Sequence, residues 1–334
     1  MLKKSIILIT LAIYLSGSSI HAQDPHFSQF YANPLYLNPA FAGTVVCPRI
    51  SLNYRNQWAN IAPYWNTYSV SYDVHRDYLS GGIGFQAMAD QAAGIISTYS
   101  ASAMYSYNLS TGPNFNIKAG FEARYFYKQL DWDKLTFGDQ INSQWGFVYP
   151  TKEATPGKLS KSGPDFSVGL LGYNKSYFFG IAIHHLTEPN EGFLENSADS
   201  HLPRKLTIHA GAIFDVNVEY YRGKRLKRRV EDPTFSPNVI FQWQRNLKQF
   251  NYGFYYNQYP LILGLWYRHS LANIDAIIAL VGLQANVFKI GYSYDLTVSK
   301  LGTGTGGSHE ISVGWKLPCK PEKKRIKVIH CPTF

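Results

Sequence analysis

The residues best suited to catalysis lie close together near the end of the chain, in the run G-T-G-T-G-G-S-H-E from Gly302 to Glu310. Ser308, His309 and Glu310 carry the side chains of a nucleophile, a base and an acid. If this run enters a strand, alternate residues point to opposite faces, so Ser308 and Glu310 share a face that His309 does not. A phosphate-binding loop would need a helix after the glycines, and the sequence predicts none. We therefore expect no catalytic or phosphate site here.

Two further groups of side chains could bind a metal or transfer a proton. The neighbours His184 and His185 fall at the end of a predicted strand, one pointing in and one out. Cys319, His330 and Cys331 are of metal-ligating types, but their spacing fits no standard zinc pattern. The sequence therefore predicts no enzymatic activity, no metal and no cofactor.

The first residues have the pattern of a secretory signal peptide. A basic M-L-K-K precedes an apolar run over 5–15 and a small-residue stretch ending at Ala22. The apolar run is shorter than the about 20 residues that a membrane-spanning helix needs. We expect residues 1–22 to be removed, so that Gln23 begins the mature protein. The absence of a cysteine near the cut argues against a lipoprotein.

Export places the cysteines in an oxidising compartment, where a disulfide is expected. The candidates are Cys47, Cys319 and Cys331, all outside the predicted strands. A Cys319–Cys331 bond would close the C-terminal tail into a loop, and a Cys47–Cys331 bond would tie the N-terminal segment to that tail. The sequence alone does not choose between these pairings, and the odd cysteine could be free.

The elements that position these side chains are predicted from composition. Charged residues make up 16% of the chain, below the about 25% of soluble domains. Aromatic residues also make up 16%, and there are 27 glycines. No apolar run reaches the about 18 residues of a transmembrane helix. Low charge and many aromatics without a long apolar run are typical of a transmembrane β-barrel.

The alternation of side chains supports the barrel. In the last predicted strand, apolar residues alternate with polar or small ones: Ile311, Val313, Trp315 and Leu317 against Glu310, Ser312, Gly314 and Lys316. In a barrel the apolar set faces lipid and the charged set faces a wet interior. We expect interior carboxylates such as Glu122, Asp215 and Asp295 to pair with Lys118, Arg124 and Lys289.

Such runs number about fourteen, an even number as in bacterial barrels, and together they define a barrel over 49–317. The predicted strands are 49–59, 64–76, 79–90, 95–110, 113–128, 164–174, 176–186, 205–218, 235–246, 248–257, 261–270, 273–283, 286–297 and 307–317. With both barrel ends in the periplasm, the long connections 129–163, 187–204 and 298–306 face outward. The first of these contains a candidate extracellular contact: Trp132, Trp145, Phe147 and Tyr149. The same residues would also suit a loop packed over its own barrel.

The net charge of +10 is concentrated in two basic patches. One lies in the connection 219–234 and the other in the tail 318–334, and both are expected on the periplasmic side. Their residues are Arg222, Lys224, Arg225, Lys227, Arg228 and Arg229, and Lys320, Lys323, Lys324, Arg325 and Lys327. The remainder of the mature chain is slightly acidic, which argues against nucleic acid. We expect the patches to dock acidic periplasmic partners; contact with anionic lipid headgroups is the alternative.

The segment 23–48, before the first strand, has no charge from Phe27 to Val46. Two Asn-Pro pairs prevent it from forming one helix or one strand. We expect it to fold back as a plug in the barrel or across its periplasmic mouth. Its candidate lumen residues are Phe27, Phe30, Tyr31, Asn33, Pro34, Asn38, Pro39 and Phe41. Lack of charge would allow such burial without unpaired ions.

This opening segment also carries a resemblance to a known family. The run D-P-H-F-S-Q-F-Y-A-N-P-L-Y-L-N-P-A-F-A-G-T from Asp24, followed by R-I-S-L-N-Y-R-N-Q-W from Arg49, resembles the PorP/SprF family of outer-membrane proteins linked to type IX secretion and gliding motility. Further marks are G-G-I-G (81–84), the D-x-x-x-G of 90–94, G-Y-S-Y-D (291–295) and G-S-H-E-I (307–311). The C-P of Cys331-Pro332 and the basic tail resemble one branch of the family.

The resemblance implies a non-enzymatic protein integral to the outer membrane of a gram-negative bacterium. It implies three kinds of partner: outer-membrane lipid, periplasmic type IX components, and a secreted, adhesin-like surface protein held through its C-terminal secretion domain. The alternative is a passive channel or hydrophobic-solute transporter, since N-P-A-F-A-G also resembles the start of fatty-acid-transporter-like barrels. A purely structural role is a third possibility. An open lumen would favour the channel, and a plugged one would favour protein interaction.

Overall fold

The computed structural model describes residues 24–319 apart from 46, 111–114, 156, 194–199, 217–219, 222–223, 226–231, 271–273 and 299–302. Its main element is an antiparallel sheet of fourteen long strands that closes into a barrel. The strands are β1 (Arg49–Gln57), β2 (Trp65–Arg76), β3 (Gly81–Ala92), β4 (Ile96–Ser110), β5 (Asn116–Leu130), β6 (Ser160–Tyr173), β7 (Tyr177–His184), β8 (Lys205–Ala212), β9 (Thr234–Gln244), β10 (Leu247–Gln258), β11 (Leu261–Ser270), β12 (Ile274–Ala285), β13 (Phe288–Thr297) and β14 (Ser308–Lys316). Phe214–Asp215 adds a short extension beside β9.

Each strand pairs with its neighbours in sequence, and the first strand pairs with the last. The β1–β14 register runs from Arg49 opposite Lys316 to Gln57 opposite Ser308, which closes the barrel. The predicted fold class is therefore confirmed. Two boundaries differ clearly. β6 begins at Ser160 and continues through Pro164, because Gln129 of β5 pairs with Ser160. β8 ends at Ala212, six residues before its predicted end.

The two faces of the sheet have the inverted polarity that the alternation predicts. On β14, Ile311 and Trp315 are 46% and 39% exposed on the outside, whereas Glu310 and Ser312 are buried inside. His309 faces outward and its Nδ1 lies 2.8 Å from the hydroxyl of Tyr292. The apolar side chains thus face the lipid, and the polar ones face the lumen.

The two ends of the barrel differ in the length of their connections. The end where β1 begins and β14 finishes carries the short turns 77–80, 174–176, 259–260 and 286–287, as well as the longer 213–233. The opposite end carries 131–159 and 185–204. Because bacterial barrels have short periplasmic turns and long extracellular loops, we refer to the first as the inner end and the second as the outer end.

Among the described residues, no helix is long and apolar enough to cross a membrane.

Candidate functional site

The lumen contains the segment that precedes β1, residues 24–45, referred to here as the N-terminal segment. Every residue from 27 to 45 is buried except Tyr36, which is half-buried. The structure places all the candidate lumen residues inside the barrel: Phe27, Phe30, Tyr31, Asn33, Pro34, Asn38, Pro39 and Phe41. The segment therefore occupies the space that a porin would leave to water.

The two Asn-Pro pairs give this segment its compact path. Each proline starts one short helical turn, Pro34–Leu37 and Pro39–Phe41, where a missing N–H costs nothing. Asn38 separates the turns. Its backbone N–H donates to the Pro34 carbonyl, and its Oδ1 accepts from the Ala40 N–H at 2.9 Å. Its Nδ2 donates to the Leu170 carbonyl of β6 at 3.1 Å, so this residue also fixes the turn to the wall.

Aromatic side chains of the segment pack against rings from the barrel wall. Phe30 lies 5.0 Å from the ring of Trp266, and Tyr31 meets Phe178 edge to face at 5.6 Å. Phe41 stacks on His209 at 5.3 Å. Full burial of such a side chain contributes about 1.5–3 kcal/mol. The lumen thus has an apolar core around the segment in addition to its polar lining.

Nearer the outer end, buried ions of the wall hold the segment through Ser28 and Gln29. The carboxylate of Glu310 accepts from both backbone N–H groups, at 2.6 Å and 3.1 Å. Asp295 accepts from the Ser28 hydroxyl at 2.6 Å. Arg55 bridges the two carboxylates, 3.2 Å from Glu310 and 2.9 Å from Asp295. Arg268 donates to the same Asp295 oxygen at 2.9 Å, so four charged groups hold one uncharged stretch.

A second charged cluster holds the start of the segment at the outer end. The Asp24 carboxylate lies 2.8 Å from Nε2 of His185 and 3.4 Å from Nζ of Lys205. The other ring nitrogen of His185 lies 2.6 Å from Asp165. Burial by itself would lower the pKa of His185, but the charge of Asp24 and the hydrogen bonds to both carboxylates raise it to about 9. Burial works against ionisation of Asp24 too, yet His185 and Lys205 keep its pKa well below the usual value.

At the inner end, backbone groups of the segment bind wall side chains. Lys118 donates to the carbonyls of Ala42 and Gly43, at 2.7 Å and 3.1 Å. Asp73 accepts from the Gly43 N–H at 2.9 Å and pairs with Arg49 at 2.8 Å. The inner part of the segment is thus held in the same way as Ser28 and Gln29: charged side chains of the wall bind the backbone of uncharged residues.

Glycines on the strands let the segment approach the wall closely. A Cβ on Gly82 would lie 2.4 Å from the Ala42 carbonyl oxygen and 2.5 Å from Cα of Gly43. A Cβ on Gly120 would lie 2.3 Å from the Ala40 nitrogen. Glycine inside a strand marks such close approach of another backbone. The run G-G-I-G therefore has a packing role at the inner end.

The structure joins Cys47 to Cys319, with Cα atoms 5.5 Å apart. Neither pairing considered from the sequence, Cys319–Cys331 or Cys47–Cys331, is present. The reason is the closure of the barrel: β1 and β14 are neighbours, and Arg49 lies opposite Lys316. The residues just beyond these ends face each other. Cys331 lies outside the described residues.

The predicted basic patches lie only partly within the described residues. Lys224–Arg225 pairs with Tyr220–Tyr221 in a small hairpin of the connection 213–233. The rest of the predicted basic patches lies outside the described residues: Arg222, Lys227, Arg228, Arg229, Lys320, Lys323, Lys324, Arg325 and Lys327.

In the outer connection 131–159, the aromatic residues separate into two groups. Trp132 is half-buried and its ring lies 5.0 Å from that of Phe137. Trp145, Phe147 and Tyr149 are 76%, 60% and 52% exposed. They lie around a small hairpin of Ile141–Asn142 with Gly146–Phe147. This hairpin therefore presents its three rings to the surroundings.

Reasoning from the sequence missed the partners of the interior charges. Lys118 binds the N-terminal segment, and Asp295 pairs with Arg55 and Arg268; neither makes the ion pairs that were expected. One principle could have predicted these partners: buried backbone N–H and C=O groups of an irregular segment need hydrogen-bond partners. Interior charges facing a chargeless segment could supply them. Among the described residues, no group of His, Cys, Asp or Glu is arranged to hold a metal ion.

Comparison with known proteins gives one extensive match. The family model described as "Type IX secretion system membrane protein PorP/SprF" matches residues 19–315. The match covers the N-terminal segment and nearly all of the barrel. No curated protein matches the chain.

Similar solved structures are outer-membrane barrels. Omp33 of Acinetobacter baumannii is 6% identical with a TM-score of 0.44, covering 82% of this chain and 100% of that one. The CymD monoaromatic hydrocarbon channel is 11% identical with a TM-score of 0.44, covering 87% and 94%. The KdgM porin is 8% identical with a TM-score of 0.36, covering 80% and 99%. At these values the likeness carries no argument about what this chain binds.

Proposed function

Because the chain belongs to the PorP/SprF family of type IX secretion system membrane proteins, we propose that it binds and localises a secreted surface protein at the outer membrane. The chain is an integral outer-membrane component of that system. In the proposed role it holds the C-terminal secretion domain of an adhesin-like protein and docks to periplasmic type IX components. Neither task requires a catalytic residue.

The observation that carries the proposal is the occupied lumen. The N-terminal segment spans the barrel interior and is bound at both ends by buried charged groups. A passive channel works through an open passage, whereas a protein-binding barrel can use its outer surfaces with a filled interior. Occupation of the lumen therefore favours protein interaction over the transport alternative.

The exposed rings of Trp145, Phe147 and Tyr149 support an outer contact. The few residues that contribute most of the binding energy at protein interfaces are enriched in Trp and Tyr. These three are exposed around one small hairpin at the outer end of the barrel, where the proposed partner would bind. For the inner side, we propose the basic patches as the docking surface, since clustered positive charge attracts acidic partners.

The test is purification of the tagged protein from its native outer membrane in mild detergent, with mass spectrometry of what accompanies it. We expect a secreted protein with a C-terminal type IX domain to accompany the wild type. Combined Trp145→Ser, Phe147→Ser and Tyr149→Ser should abolish its recovery. The matched control is Tyr78→Ser, which removes a 79% exposed ring at the inner end. A wild-type barrel that purifies without any such protein would refute the proposed function.

The inner surface is tested separately in the same preparation. Combined Lys323→Glu, Lys324→Glu and Arg325→Glu should remove periplasmic type IX components and leave the secreted protein bound. Retention of those components by the variant would show that the tail is not the docking surface. The outer variant should therefore lose the secreted protein, and the inner variant should lose the periplasmic components.

A further inference from the structure

The contacts of the N-terminal segment follow a regular order along the barrel axis. Gly43 binds Asp73, near the inner end of β2. Asn33 binds Ser69, farther along the same strand toward the outer end, at 3.1 Å. Ser28 binds Asp295 and Glu310, close to the outer ends of β13 and β14. The segment therefore crosses the lumen from the inner end, where it joins β1, toward the outer end.

Asp24 completes this path at the outer end. Its partner His185 is the first residue of the outer connection 185–204, and its partner Lys205 directly follows that connection. Its backbone N–H also donates to Oε1 of Gln244 at 3.4 Å, at the outer end of β9. Three separate strand ends thus place the first described residue of the chain at the outer mouth.

A cavity of about 480 Å³ lies beside this part of the segment. It is lined by His26 together with wall residues at the outer ends of strands, among them Gln57, Ser270, Thr297 and Ser308. Trp58, just after β1, also lines it. His26, which is half-buried, therefore borders a space at the outer mouth of the barrel.

From this path we infer that the N-terminal end of the mature chain is presented at the cell surface. Cleavage after Ala22 would leave one residue before Asp24, so the new terminus would lie at the outer mouth. The start of the chain and its periplasmic tail would then lie on opposite sides of the membrane. The outer end of the segment, with half-buried His26, would then border the cell exterior.

The test is labelling of His26→Cys on intact cells with a membrane-impermeant maleimide. Cys331→Ala is included to remove the third cysteine, and Cys47 and Cys319 remain bonded. Two matched variants define the sides: Ser143→Cys in the outer connection and Lys175→Cys in an inner turn, both at exposed positions. The labelled fraction is compared before and after the outer membrane is permeabilised.

We expect His26→Cys to behave like Ser143→Cys, with the same labelled fraction before and after permeabilisation. Lys175→Cys should react only afterwards. An epitope inserted between Ala22 and Gln23 gives a second measurement, and antibody should bind it on intact cells. If Ser143→Cys reacts on intact cells while neither His26→Cys nor the epitope does, the inference is wrong. Because no partner is involved, its failure is separate from failure of the proposed function.

Discussion

Glu310 joins the last strand, the N-terminal segment and the interior charges in one buried group. In Glu310→Gln, one carboxylate oxygen becomes an NH₂ donor that faces the N–H of Ser28 or Gln29. A buried donor without an acceptor costs about 1–3 kcal/mol. We expect faster hydrogen exchange at these two amides and a lower stability of the folded barrel. Hydrogen exchange with mass spectrometry measures the first effect, and thermal unfolding measures the second.

The control for this substitution is Glu153→Gln, which makes the same chemical change at an exposed position of the outer connection. It should leave both measurements at wild-type values. Unchanged protection of Ser28 and Gln29 in Glu310→Gln would mean that Glu310 does not hold the segment.

The pairing of Asp24 with His185 predicts a pH dependence. His185 has a folded pKa of about 9, above its ordinary 6.5. Its stabilisation is therefore complete below pH 6.5 and is lost as the pH rises through about 9. The carboxylates facing it are Asp24 and Asp165, and the positive charge of Arg124 opposes its own. The wild type should lose on the order of 3 kcal/mol across this window.

Thermal unfolding in detergent between pH 6 and pH 10 checks this effect. His185→Gln keeps a polar side chain but cannot titrate, so its stability should change less across the same window. Parallel curves for wild type and variant would exclude His185 as the titrating group.

At the residue scale, the sequence predicted which side chains face the lumen but not which ones meet. Alternation places Glu310, Asp295 and Lys118 inside, and all three are inside. Their partners depend on where an irregular segment crosses the lumen. The N-terminal segment has no sequence periodicity that would show where Ser28 or Gly43 lies in the lumen. Their contacts with the wall were therefore not predictable.

Among the elements, β3 shows how a strand accommodates the N-terminal segment. Gly82→Ala would place a Cβ 2.4 Å from the Ala42 carbonyl oxygen, so the segment has to shift at the inner end. Overpacking of this kind costs about 1–3 kcal/mol. We expect lower thermal stability and faster exchange of the amides from 40 to 44. Gly138→Ala is the matched control, since nothing lies within 4 Å of the added Cβ. Equal stability of the two variants would contradict the close approach.

The strands were predictable because lipid and lumen impose a strict period of two on every one of them. The period alone does not decide where a strand ends, since apolar residues keep alternating through Phe214, Val216 and Val218. The sequence ended a strand at 218, whereas β8 ends at Ala212 and only Phe214–Asp215 continues beside β9. The cysteine pairing failed for another reason: it depends on β1 meeting β14, a contact between the two ends of the barrel.

For the whole molecule, the filled lumen predicts low conductance. In planar bilayers the wild type should show no steady pore, because the N-terminal segment occupies the interior. Deletion of residues 24–45 should give a stable open channel, since the polar wall would then line a continuous aqueous space. Heat-modifiable migration on gels verifies that the deleted protein still forms a barrel. Equal conductance of the two proteins would show that the segment does not close the pore.

The position of Glu310 on the last strand also sets an order of events in time. The N-terminal segment comes first in chain order, whereas β14 and Cys319 follow all the other strands. Pairing of β14 with β1 closes the barrel, and the same strand brings Glu310 to the amides of Ser28 and Gln29. We therefore expect closure of the wall and capture of the segment to be coupled during assembly. A barrel that closed with the segment outside would leave the buried carboxylate of Glu310 without the N–H donors of Ser28 and Gln29.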